Sequence, residues 1–163
     1  ISPIVEGAVR WILAQRLPSG EIPYIIDGID PKRYHWPLDT MTYCSEGLVA
    51  AYLHQDDSQL RRHIAKQVKP SVEWLVRTQN ENGSWGEMGS QDQQRSPGCV
   101  TLLAWYYRTI DADPRVARSI RKYCRFLLDP ANQGPYGYKR LVRTTGFIGL
   151  VLAELLKQGV TFQ

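Results

Sequence analysis

Side chains able to bind or process a polar ligand are concentrated in three long segments of this sequence, about 17–36, 80–95 and 129–142, and just beyond their ends. The first supplies Tyr24, Asp27, Asp30, Tyr34, His35, Trp36 and, after it, Asp39; the second Trp85, Glu87, Asp92 and Arg95; the third Tyr136, Tyr138, Lys139, Arg140 and then Arg143. Aromatic faces stack on sugar-like rings, and arginine pairs bidentately with carboxylate. Two carboxylates flanking a glycosidic bond can serve as general acid and base. The mixture suits a saccharide or a uronate-type anion. Asp39 is the first choice for a catalytic carboxylate, because the positive end of a helix starting there would keep it ionised. In the plainer reading it is an N-cap for Thr42. Glu87 or Asp92 would be its partner. Tyr24, Tyr34, His35, Trp36, Tyr43, Arg95, Tyr136, Tyr138 and Arg143 are the candidate ligand contacts. Glu46, seven residues after Asp39, shares its helical face, and in the plainer reading is a solvated or salt-bridged helix residue.

Other chemistries have less to stand on. Cys44, Cys99 and Cys124 show no CxxC spacing, and an odd number cannot make a closed disulfide framework. His35, Asp39 and Cys44 bear a faint likeness to a zinc set, but a further Cys or His element is missing, so no metal is expected. No cofactor is expected either. Arg118, Arg121, Lys122 and Arg125 fall at helical spacing opposite Val116, Ile120 and Leu127. A phosphate-binding stripe would look like this, but so does the solvated face of an amphipathic helix. No aromatics interleave with these charges, so no nucleic-acid partner is expected.

The elements that must position these residues are helices. Apolar residues recur at helical spacing in six segments, and β-type alternation is nearly absent. The first runs about 2–16, with Ile4, Ala8, Trp11 and Ile12 as its stripe. The second runs from Pro37 or Asp39 to about Leu53, with Asp39 as cap and Leu48, Ala51 and Tyr52 packed. The third starts at Asp57 or Ser58 and carries Leu60, Ile64, Val68, Val72 and Leu75, with Pro70 set to kink or split it. Ser96-Pro97 and Asp113-Pro114 each read as a cap followed by a first-turn proline, opening the fourth and fifth. The sixth covers about 144–157. Long connections alternate with short ones, which makes three hairpins at about 2–55, 57–110 and 114–158.

The hairpins resemble one another. Trp11-Ile12-Leu13-Ala14-Gln15 is followed by Gly20; Trp74-Leu75-Val76-Arg77-Thr78-Gln79 by Gly83-Ser84-Trp85-Gly86; Phe126-Leu127-Leu128-Asp129 by Gly134-Pro135-Tyr136-Gly137. The next helices also match, as Gly47-Leu48-Val49-Ala50-Ala51, Val100-Thr101-Leu102-Leu103-Ala104 and Gly149-Leu150-Val151-Leu152-Ala153. The stretch from Lys69 to Trp85 resembles the QW motif of squalene and hopene cyclases: a basic residue, an aromatic-aliphatic pair, Gln, then Gly-x-Trp. Ile22 stands for the Trp in the first copy and Asp129 for the Gln in the third.

The resemblance implies an all-α fold of the α/α-toroid type, shared by terpenoid cyclases, protein prenyltransferases and, more distantly, six-hairpin glycosidases. It implies that the long loops and the starts of the inner helices ring one mouth of a cavity, which would gather the residues named above. It assigns Gln79, Gly83 and Trp85 a structural role. The acidic DxDD and DDxxD motifs of terpenoid chemistry are absent; Asp56-Asp57 and Asp111-Ala112-Asp113 fall in short connections and read as helix caps. An isoprenoid-binding domain and a non-catalytic interaction module are the alternatives to a saccharide site, and whether the chain is an enzyme stays open. A complete toroid of this kind has about six hairpins, so a second copy or further hairpins would complete the ring.

With 163 residues and 43% hydrophobic content, the chain suits one packed domain. That domain is read as residues 1–163, whole or as part of a longer protein. No apolar run approaches the roughly 20 residues of a membrane span. The unpaired cysteine count and the absence of a signal-like start point to a reducing, cytoplasmic setting. The 5 Trp and 9 Tyr against 3 Phe mean that most aromatic area carries an N–H or O–H needing a partner when buried.

Overall fold

A computed structural model describes residues 2–23, 37–86 and 97–132 and the helical positions 146, 149, 153, 156 and 157; for residues 2, 37–40 and 97 it describes the backbone alone. All regular structure among the described residues is helical. Helix α1 spans Ser2–Ala14, α2 Pro37–His54, α3 Ser58–Gln67, α4 Lys69–Thr78, α5 Pro97–Thr109 and α6 Pro114–Leu128, followed by a single 3-10 turn at Pro130–Asn132. The helix expected over 144–157 is described only at its five helical positions. No described helix is long and apolar enough to cross a membrane.

Local chemistry sets these boundaries. The Asp57 carboxylate accepts from the N–H groups of Gln59 and Leu60 at 2.7 and 3.1 Å, capping α3. Asp113 does the same for α6 through Arg115 N–H at 2.7 Å, with Pro114 at the first position. The stretch read as one helix from residue 58 is split between Gln67 and Lys69. Pro70 has no N–H to continue the ladder, although the N–H groups of Ser71 and Val72 still reach the Val68 carbonyl. The apolar stripe nevertheless runs unbroken across the split, with Leu60, Ile64, Val68, Val72 and Leu75 all buried.

Helix α5 is the centre. Every residue from Gly98 to Tyr106 is buried, and the helix touches α2, α4 and α6. A Cβ on Gly98 would lie 2.5 Å from Thr42 Cγ2 and 2.9 Å from Glu46 Oε1, so this glycine lets α5 come close to α2. Further along, Tyr52 meets Trp105 edge-on at 4.9 Å, and the Arg61 guanidinium sits 4.7 Å over the Tyr52 ring. The buried Trp105 indole N–H has no hydrogen-bond partner among the described residues, against the usual rule for buried tryptophan.

A turn recurs after α1 and after α4 with the same bonding. Leu17 N–H donates to Glu21 O (2.8 Å) and Gly20 N–H to Leu17 O (2.9 Å); Asn80 N–H donates to Ser84 O (2.8 Å) and Gly83 N–H to Asn80 O (3.0 Å). Gly20 and Gly83 hold φ of 100° and 97°, a region in which an L side chain is strained. Each turn lies on a helix further along the chain. Arg16 donates from Nη1 to the Gln67 carbonyl, and Gln79 Nε2 donates to Ser119 O at 2.9 Å and Gly83 O at 2.8 Å. A Cβ on Gly20 would lie 2.7 Å from the Pro70 carbonyl carbon, and one on Gly83 2.5 Å from that of Lys122. Ile22 and Trp85 complete the turns, both buried; the Trp85 indole N–H donates to Leu75 O at 2.7 Å.

Two expectations are corrected. Three of the four residues read as the packed stripe of α1 face outward: Ile4 is 78% and Trp11 58% exposed and Ala8 is exposed, whereas Ile12 is half-buried against the core and Val9 and Leu13 are buried. Helix α1 is apolar on two sides, and its contacts with α2 and α3 bury the side carrying Val9 and Leu13. Asp39 is not the N-cap of α2, because the helix already begins at Pro37 and places Asp39 in its first turn.

Candidate functional site

Of the candidate residues, the structure describes Tyr43 in full and the backbone of Asp39. Tyr24, Tyr34, His35, Trp36, Glu87, Asp92, Arg95, Tyr136, Tyr138 and Arg143 lie outside the described residues, as do Asp27, Asp30, Lys139 and Arg140. Their convergence on one mouth is therefore a matter for proposal.

Around the first turns of α2 and α5 the described part of that region has a definite chemistry. Tyr43 is exposed on α2, and Glu46, one turn later, is half-buried with its carboxylate against Gly98 in the first turn of α5. Asp39, Tyr43 and Glu46 are spaced four and then three residues apart, which places them on one helical face. Burial raises the Glu46 carboxyl above the ordinary glutamate range. Glu46 is thus held toward the protonated state that a general acid requires.

This sets a sign for pH dependence. The folded state binds the Glu46 proton more tightly than the unfolded chain, so this residue's contribution to stability falls as pH rises from the unfolded value of about 4.5 through the folded one. Glu46→Gln is expected to raise the melting temperature at pH 7 and to leave it nearly unchanged at pH 4. Melting curves of both proteins at the two pH values check this; a loss of stability at pH 7 would show that the charged form is favoured.

The cysteines are poor nucleophiles. Burial pushes the Cys99 thiol up to about 12, opposed by its contact with the Thr42 hydroxyl, and Cys124 up to about 11; Cys44 is raised for the same reason. Among the described residues no three His, Cys, Asp or Glu side chains come together as a metal site. His54 is exposed and His63 half-buried. Arg118, Arg121, Lys122 and Arg125 are all exposed while Val116, Ile120 and Leu127 are buried, as an amphipathic outer helix requires.

Sequence reading missed a concave feature away from these residues. A cleft of about 470 Å³ lies between α4, the end of α5 and the start of α6. Val72, Val76 and Val116 line it, and Lys69, Glu73, Arg77, Asp111, Asp113 and Arg115 give it three charges of each sign. The Asp113 carboxylate is engaged by Arg115 through Nε (2.9 Å) and Nη2 (2.7 Å), which holds it below the usual range, and Arg77 Nη2 donates to Ser19 O. Tyr106 also borders the cleft; burial and the carboxylates of Asp111, Glu73 and Asp113 push its hydroxyl upward, with Arg115 opposing. The cap reading of Asp113 holds, but the same residue also faces this cleft. Its lining comes from three helices and the connection between α5 and α6, so no sequence spacing announces it.

Comparison with family models, with curated proteins and with solved structures finds no match to this chain.

Proposed function

We propose that the chain is a partial α/α toroid of three helical hairpins that binds, and with a carboxylate pair processes, a saccharide or uronate-type ligand where α2 and α5 begin. The observation that carries this reading is Glu46: a half-buried carboxyl, raised above the ordinary glutamate range by burial, against the first turn of α5 and one turn from an exposed tyrosine. Tyr43 offers a ring for stacking on a sugar, and Glu46 a proton for a leaving oxygen. Asp39, seven residues earlier, starts about 10 Å away along the helix axis. That spacing suits the roughly 6.5–9.5 Å between carboxyl groups of an inverting pair better than the roughly 5–5.5 Å of a retaining pair. Glu87 and Asp92 remain the alternative partners from the second long loop. The recurring glycine turn supports the repeat, and the helical positions 146, 149, 153, 156 and 157 fall where the third inner helix is expected.

The isoprenoid alternative calls for a mainly apolar cavity, and the cleft between α4 and α6, with its six charged side chains, does not suit a hydrocarbon chain. That cleft instead favours a second reading, a small ligand of mixed charge bound away from α2. Thermal-shift titration separates the readings. Uronic oligosaccharides are expected to raise the melting temperature of the wild type and of Glu73→Gln, and Tyr43→Ala is expected to lose the shift. A shift with a lipid diphosphate alone would overturn the saccharide reading. A shift that Glu73→Gln abolishes and Tyr43→Ala retains would move the site to the cleft.

A further inference from the structure

Tyr106 is only 3% exposed, so its ring belongs to the core, yet it borders the cleft between α4, α5 and α6. Among the described residues its hydroxyl has no hydrogen-bond partner. The charges felt at that oxygen are those of Asp111, Glu73, Asp113 and Arg115, all of which line the cleft, so the hydroxyl is the end that faces it. The cleft, at about 470 Å³, falls within the range of roughly 300–1,000 Å³ for small-molecule sites. A buried side chain with one free polar atom turned into such a space needs a partner from outside the fold.

Two carboxylates stand near this hydroxyl without an ion pair. Asp111 N–H donates to Tyr106 O at 3.0 Å, which folds the chain back after α5 and keeps Asp111 close to Tyr106. Glu73 has Lys69 one turn before it and Arg77 one turn after it, a spacing at which opposite charges commonly pair. Among the described residues it pairs with neither. Asp113 differs, because Arg115 neutralises it through two short bonds. Arg77 uses one donor on the neutral Ser19 carbonyl at 2.9 Å, which leaves its charge uncompensated. With the Asp113–Arg115 pair set aside, the cleft retains two side chains of each sign around the apolar surface of Val72, Val76 and Val116. A ligand of one sign would leave the other pair unanswered, whereas a zwitterion with a short apolar body answers both.

We propose that the cleft binds a free aliphatic α-amino acid, its ammonium held by Tyr106, Glu73 and Asp111, its carboxylate by Lys69 and Arg77, and its side chain by the three valines. An ammonium has three N–H donors, which match one phenolic oxygen and two carboxylates. Lysine and the remaining guanidinium donors suit a carboxylate. The proposal rests on the second reading above, a small ligand of mixed charge in this cleft, and names the class of that ligand.

Titration of the protein with L-leucine, L-leucinamide, N-acetyl-L-leucine and glycyl-L-leucine, followed by backbone amide NMR shifts, tests it. L-leucine is expected to shift amides around residues 72–77 and 111–116. It is expected to bind about fivefold more tightly than leucinamide, which lacks the negative end, or N-acetyl-leucine, which lacks the positive one. Tyr106→Phe removes one unpartnered oxygen and keeps the ring in the core; it is expected to weaken leucine binding about tenfold. Lys69→Ala is expected to weaken it about threefold and to leave leucinamide unchanged. Leucinamide binding as tightly as leucine would overturn the amino-acid assignment, as would full affinity for leucine in Tyr106→Phe. Binding of glycyl-leucine without leucine, lost in Glu73→Gln, would overturn the assignment and leave the cleft as a site for a longer zwitterion. If none of the four compounds shifts the cleft amides, the assignment and the cleft reading both fall.

Discussion

Gly83→Ala is expected to cost about 4 kcal/mol and to lower the melting temperature by roughly 10 °C. Two costs combine. The backbone at residue 83 has φ of 97°, where an L side chain costs about 1–3 kcal/mol. The added Cβ would also lie 2.5 Å from the Lys122 carbonyl carbon and 3.1 Å from Tyr123 N. Those atoms belong to the backbone of α6 and cannot swing aside as a flexible side chain would, so relief requires the turn to lift off the helix. Lifting it also breaks the bond from Gln79 to Ser119 O. Gly20→Ala is expected to behave alike, because the Pro70 carbonyl occupies the corresponding place. Gly47→Ala is the control: nothing lies within 4 Å of its Cβ position in α2, and the change is expected to stabilise by about 0.5–1 kcal/mol. Thermal or denaturant melts of the three variants decide the matter, and equal stability for Gly83→Ala and Gly47→Ala would refute the turn geometry.

Trp85→Ala is expected to cost about 3–5 kcal/mol, in the range for removing a buried aromatic from a core. Trp85 is 0% exposed, packs on Tyr123, and donates its indole N–H to Leu75 O. Trp85→Phe keeps most of the ring contact and removes the hydrogen bond, and is expected to cost about 1–2 kcal/mol. Comparing the two by urea denaturation apportions the residue's role between packing and hydrogen bonding. A phenylalanine variant as unstable as the alanine variant would mean that the bond to Leu75, rather than the buried ring, dominates.

Some parts of this structure were legible because a single local rule decides them. The stripe Leu60, Ile64, Val68, Val72 and Leu75 has one apolar side, so its period gives both the helix and its buried face. Asp57 and Asp113 cap because a short acidic side chain before a helix reaches nearby backbone N–H groups whatever surrounds it. The repeated Gly was legible as a turn, since few other residues tolerate positive φ. The inward side of α1 was not legible, because Ile4, Ala8 and Trp11 on one side and Val5, Val9 and Leu13 on the other offer two apolar stripes, and periodicity gives no preference between them. The sequence offers both Pro37 and Asp39 as the start of α2, since helices begin with either residue, and the helix takes Pro37.

The candidate site divides along the same line. That Asp39, Tyr43 and Glu46 share a face follows from the helical repeat alone, since residues four and three apart on one helix must align. That Glu46 is half-buried and its carboxyl raised above the ordinary range follows from Gly98, which lets α5 approach α2; no feature local to Glu46 carries that information. The cleft beside Tyr106 is likewise assembled from helices distant in sequence. By itself the sequence determined the helices, most of their caps and the repetition of the turn, which depend on dihedral preferences and hydrogen bonds between near neighbours. Tertiary structure decided which side of α1 faces water, which carboxyl loses its solvent and where a cleft opens, because desolvation depends on how closely segments far apart in the chain approach one another.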